Sequence, residues 1–130
     1  MKHQGLDHIA IAVKDTEQAL KVWRDSLGFP VLYSEAVNQG SVRLTHLDMG
    51  NVHLQLVEPL SEDHPLQDWL EANGSGLHHF CLRVDSVSDA QASAPVPTAP
   101  EMHQGTQGKR ALFFDKSATD NIQVEITGPQ

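Results

Sequence analysis

Two histidines and two side-chain oxygens recur along this chain at nearly the same interval. His8 lies in the run Leu6-Asp7-His8-Ile9-Ala10-Ile11-Ala12-Val13, and 71 residues later His79 lies in Leu77-His78-His79-Phe80-Cys81-Leu82-Arg83-Val84. Gln55, in Leu54-Gln55-Leu56 ahead of Pro59, stands 70 residues before Glu125, in Val124-Glu125-Ile126 ahead of Pro129. Imidazole nitrogens together with side-chain oxygens suit a divalent metal of intermediate hardness. His8, Gln55, His79 and Glu125 would supply two nitrogens and two oxygens, leaving water or substrate to fill further positions. Taken singly, each reads as hydrogen-bonded strand packing. Their joint recurrence, in apolar runs where a polar group is costly unless paired or coordinated, is what points to a metal.

The elements that must position these residues follow from changes in hydrophobic period. Residues 6 to 13 are a short run rich in Ile, Val and Ala, which predicts a buried strand. Asp15 with Gln18 is a capping-box start, Ala19, Leu20, Trp23 and Leu27 fall at helical spacing, and Gly28 and Pro30 end the helix. Val31 to Val37 is a weaker strand, and Asn38-Gln39-Gly40 is a turn. Ser41 to Met49 and Val52 to Glu58 form a hairpin around Gly50-Asn51. Ser61 to Asn73 connects the halves through a helix that Pro65 starts and Asn73-Gly74-Ser75-Gly76 ends. The second half repeats this order, but Pro95, Pro97 and Pro100 predict a shortened helix and an irregular or edge strand. Arg110 to Phe114 and Ile122 to Thr127 complete it.

Alternation sends His78 and His79 to opposite faces, and the repeat selects His79 because His78 falls on Asp7. The hairpin leaves two registers open. A two-residue turn sets His46 opposite Gln55, on its face; a three-residue turn puts Arg43 and Thr45 there instead. His3, His64 and His103 sit among polar, proline or glycine residues and are expected to be exposed.

At 130 residues the chain is expected to form a single domain, 1–130. Its formal net charge of −8 argues against a nucleic-acid or anionic-membrane partner. The single cysteine, Cys81, rules out an intramolecular disulfide and reads as a small buried hydrophobe. The start lacks the basic and apolar regions of a signal peptide, so a cytoplasmic protein is expected. There is no glycine-rich phosphate loop after a strand, no nucleophile elbow and no paired-cysteine motif.

The Leu-Asp-His-Ile-Ala-Ile-Ala-Val start, Glu58-Pro59-Leu60-Ser61, Gly76-Leu77-His78-His79 and the closing Gln123-Val124-Glu125-Ile126 resemble the vicinal-oxygen-chelate superfamily. Within it the chain is most similar to methylmalonyl-CoA epimerases. The resemblance implies an α+β fold of paired βαβββ modules, forming a curved eight-stranded mixed sheet around a metal site, and a homodimer. The modules would be residues 6–60 and 76–128, with a linking helix at 61–75. It implies His8, Gln55, His79 and Glu125 as metal ligands, with Co the first expectation and Ni, Zn, Mn or Fe the others.

The activity it implies is proton abstraction next to a carbonyl of a small-molecule substrate carrying a CoA thioester, with Glu125 as one catalytic base. Counting from Gln39-Gly40 places Arg43 where some epimerases carry a glutamate base, and arginine stays protonated near neutral pH. Arg43 and Lys109 are candidates for contacting an anionic substrate, with solvated surface charge as the plain alternative. Phe114-Asp115-Lys116 also departs from the His-Pro-Lys more often found in epimerases. A glyoxalase-I-like lyase would be expected to carry Glu where Gln55 stands, because an amide cannot transfer the proton. An extradiol dioxygenase would need His8, His79 and Glu125 as an iron triad, and thiol transferases also use three ligands. A binding protein of the bleomycin-resistance type would need no metal chemistry.

Overall fold

A computed structural model describes residues 1–129. The element order is β1 (Leu6–Ala12), α1 (Thr16–Leu20, continued by a π-helical turn Lys21–Ser26), β2 (Val31–Val37), β3 (Val42–Asp48), β4 (His53–Pro59), α2 (Leu66–Asn73), β5 (Gly76–Arg83), α3 (Val87–Ala92), β6 (His103–Gln104), β7 (Arg110–Phe113) and β8 (Val124–Gly128). The class is α+β, and strand, helix and three strands occur twice in order. Among the described residues, no helix is long and apolar enough to cross a membrane.

The chain divides into two compact units, Ile9–His78 and a unit made of Met1–His8 with His79–Gln130. In the first the strand order is β2-β3-β4-β1. Asp15 caps α1 by accepting from Gln18 N, as the Asp15/Gln18 spacing predicts. Glu58 adds a second tie to this helix start, accepting from Thr16 N at 3.0 Å and from Thr16 Oγ1 at 2.6 Å. Gly28 takes φ +83° beyond the helix end, where a β-carbon would be strained. Ile11, Val13, Leu47, Leu54 and Leu56 pack against Leu20 and Trp23. Ala10, Ala12, Val42, Leu44 and Val57 pack against Leu66 and Leu70 of α2. The two apolar layers occupy alternate strand positions, so both faces of these strands are covered.

In the second unit the order is β5-β8-β7-β6, with β5 parallel to β8 and the other pairs antiparallel. Ser86 caps α3, which stops at Ala92 ahead of the three prolines. The middle strand is reduced to the two residues of β6, as the proline spacing predicts. Gly128 lets β8 approach the residue that follows β5: a β-carbon there would stand 2.5 Å from Val84 O. Val84, Val87, Leu112, Phe114, Val124 and Ile126 form this unit's core.

Candidate metal centre

Glu125 sits mid-strand on β8, and its neighbours are set by register. The parallel pairing puts it beside Cys81 of β5, and the antiparallel pairing puts it beside Phe113 of β7. His79, two residues before Cys81, shares that face, and its Nε2 lies 3.3 Å from Glu125 Oε1. His8 arrives from the other end of this unit's sequence. Its approach is fixed by the segment before it, where Gln4 N donates to Arg83 O at 2.8 Å and Arg83 N donates to Gly5 O at 3.0 Å. His8 Nε2 then lies 3.2 Å from the same oxygen, Glu125 Oε1, with the two imidazoles edge to face at 5.7 Å. His78 points elsewhere, against Trp69.

Two residues absent from the sequence-derived candidates complete the cluster. Asp7 Oδ2 accepts from His8 Nδ1 at 2.8 Å, and Asp7 is itself held by Arg83 Nε at 3.3 Å. A histidine whose second nitrogen is held by a carboxylate is fixed in tautomer and ring orientation, the usual support for a metal-binding imidazole. His103 Nε2 donates to Glu125 Oε2 at 2.7 Å, and its ring stacks on Phe113. The expected exposure of His103 is therefore corrected: its side chain is 31% exposed. The polar neighbours in sequence are outweighed by the pairing of His103 with Ala111, which lays the ring over the sheet.

Burial penalises the charge on Glu125, yet the charge of His79, the hydrogen bond from His103 and the close approach of the His79 and His8 imidazoles outweigh it and hold the carboxyl well below the usual carboxylate range. Burial likewise opposes protonation of His8, but the bonds to Asp7 and Glu125 lift it to about 9. Asp7 is held below the carboxylate range: burial works against this, and the pairing with His8 prevails. Cys81 is fully buried, and desolvation followed by the charges of Glu125 and Asp7 drives its thiol far up. Cys81 thus stays a neutral neighbour, although its sulfur and the ligand atoms of His8 and Glu125 lie within 4.8 Å of one another. Two imidazole nitrogens converging on one ionised carboxylate oxygen are the donor set of a borderline divalent cation. The residues present fit such an ion.

Gln55 belongs to the Ile9–His78 unit, on β4 directly opposite His46 of β3. The hairpin closes with Met49 N donating to Val52 O at 3.1 Å, so the two-residue turn is the one formed. Gln55 Nε2 donates to His46 Nε2 at 2.9 Å, turning the amide oxygen away from that ring. His46 is almost fully buried, stacks on Tyr33, and faces His53 Nδ1 with its own Nδ1 at 3.0 Å. Arg43 lies on the other face of β3, where its guanidinium donates to Ser34 Oγ at 3.1 Å. Lys109 lies in the same unit as His8, His79 and Glu125, and its positive charge acts on Asp7.

The family model described as the glyoxalase/bleomycin resistance protein/dioxygenase superfamily matches residues 7–113. The chain belongs to that superfamily. It is 33% identical over 129 residues to the uncharacterized protein YqjC of Bacillus subtilis, covering 96% of this chain and 92% of the relative. To the ethylmalonyl-CoA/methylmalonyl-CoA epimerase of Cereibacter sphaeroides it is 32% identical over 127 residues, covering 93% and 95%. Among solved structures, methylmalonyl-CoA epimerase from Mycobacterium tuberculosis superposes with a TM-score of 0.88 at 25% identity, over 98% of this chain and 89% of that one. A variant of the Streptomyces coelicolor methylmalonyl-CoA epimerase, in complex with 2-nitronate-propionyl-CoA, gives 0.87 at 28% identity over 98% and 96%. This superfamily member is thus related to epimerases across nearly its whole length.

Proposed function

We propose that this protein is a metal-dependent epimerase of a 2-substituted malonyl-CoA thioester, with methylmalonyl-CoA the best single candidate. The observation that carries the reading is the convergence of His8 Nε2 and His79 Nε2 on Glu125 Oε1. Relatives named as methylmalonyl-CoA epimerases support the substrate class. His8, His79 and Glu125 would hold the cation, and Gln55 is proposed as a fourth ligand from its sequence register with Glu125 alone. A divalent cation, Co being the first to test, would supply Lewis-acid polarisation of the substrate carbonyl oxygens.

The chain's own residues do the rest. Asp7 keeps the His8 ring in one orientation. His8, His79 and Glu125 are buried, so bulk water has little access to their nitrogen and oxygen atoms. Lys109 adds the positive charge that an anionic thioester would favour. Glu125, ionised at neutral pH, is the proposed acceptor for the proton on the carbon between the two carbonyl groups. Inversion also needs a proton donor on the opposite side of that carbon, and Arg43 cannot cycle through a neutral form.

The test is to purify the protein without chelators, measure bound metal, and follow C2 of optically pure methylmalonyl-CoA in deuterium oxide. Near-stoichiometric metal, deuterium entry and loss of optical purity are expected. Metal without deuterium entry, or deuterium entry with retained configuration, would refute the epimerase reading. No uptake of Co, Ni, Zn, Mn or Fe(II) would remove the metal site and favour a binding protein.

A further inference from the structure

We propose that His103 is a positioning residue for Glu125, fixing the carboxylate so that only Oε1 is presented to the cation; the inference rests on the metal reading above. The two oxygens of Glu125 have different partners. Oε1 lies 3.2 Å and 3.3 Å from the Nε2 atoms of His8 and His79. Oε2 is taken by His103 Nε2 at 2.7 Å. The terminal torsion of a glutamate is broad, so a carboxylate with one anchored side could swing and offer either oxygen, or both. A donor on Oε2 removes that freedom. A short bond from imidazole to an ionised carboxylate is among the stronger hydrogen bonds a protein makes.

His103 can do this because it is itself held. It is one of only two residues in β6, paired with Ala111 of β7. Its ring lies on Phe113 with centroids 5.0 Å apart and planes 21° from parallel. Phe113 in turn stands opposite Glu125 in the β7–β8 register and meets His79 edge-on at 5.2 Å. One aromatic side chain therefore braces both the ligand imidazole and the ring that anchors the ligand carboxylate.

Two variants separate the donor from the ring. His103→Phe keeps a ring able to stack on Phe113 and removes the N–H; His103→Gln keeps an N–H at similar reach and removes the ring. Co²⁺ affinity, measured on each purified full chain by competition with a chromophoric chelator, should fall about 10- to 100-fold in His103→Phe. It should stay within about threefold of the parent in His103→Gln. Urea unfolding of the metal-free proteins checks that both fold. Unchanged affinity in His103→Phe, or an equal loss in both folded variants, would overturn the positioning role while leaving the metal site intact. Failure of the parent itself to take up Co²⁺ would overturn the metal reading, and this inference with it.

Discussion

Replacing Asp7 by asparagine tests whether His8 is held as a charged ring by its neighbour. The Asp7 carboxylate accepts from His8 Nδ1 at 2.8 Å and from Arg83 Nε at 3.3 Å. In the metal-free protein His8 is raised from the ordinary imidazole value of 6.5 to about 9. A group with a raised folded value contributes stability that is complete below 6.5 and is lost as pH climbs through 9. At about 1.36 kcal/mol for each tenfold step, the interval corresponds to about 3 kcal/mol, shared between Asp7 and Glu125.

Asp7 is shifted the other way, so its contribution is complete above the ordinary carboxylate value of 3.8 and is lost only in stronger acid. Both contributions are present together between pH 4 and 6.5. Asp7→Asn should therefore cost about 2 kcal/mol at pH 5.5, with Glu125 supplying the remainder, and less than about 1 kcal/mol at pH 10. Urea unfolding of parent and variant in excess chelator at the two pH values measures the difference. A loss of equal size at both, or a loss below about 0.5 kcal/mol at pH 5.5, would refute the charged pair.

Three further outcomes are expected. His79→Ala should abolish metal uptake and activity, whereas His78→Ala, on the Trp69 side of β5, should keep most of both; the reverse pattern in a metal-binding assay would contradict the strand orientation. Metal uptake near pH 7.5 should release a proton because His8 retains one up to about 9, so the calorimetric binding heat should vary with the ionisation enthalpy of the buffer; identical heats would contradict it. Gly128→Ala places a β-carbon 2.5 Å from Val84 O and should destabilise the protein by about 1–3 kcal/mol in urea unfolding, since the obstacle is backbone and cannot rotate away.

Much of the architecture is legible one residue at a time. The short apolar run that carries His8, the change to helical spacing after Asp15 and the Gly28–Pro30 stop each report a local preference that the chain satisfies. The prolines at 95, 97 and 100 likewise announce a truncated middle strand. The hairpin between β3 and β4 is intermediate. Its residues are evident, but the partner of Gln55 depends on whether the turn holds two residues or three, and only the formed pairing makes it His46.

The letters alone pair His8 with His79 and Gln55 with Glu125, because a near-constant interval survives in them. They also set His79 and His78 facing opposite ways, because side chains alternate along a strand. It is the folded arrangement that sets Asp7 on the far nitrogen of His8 and His103 on the far oxygen of Glu125. Alternation would send Asp7 away from its own neighbour, and a side-chain bond between adjacent residues leaves no periodic trace. His103 follows a proline-rich stretch with no period at all, and is carried to Glu125 by two successive strand pairings, β6 with β7 and β7 with β8. Such registers are chosen by the packing of the whole face, a long-range property that no local pattern encodes.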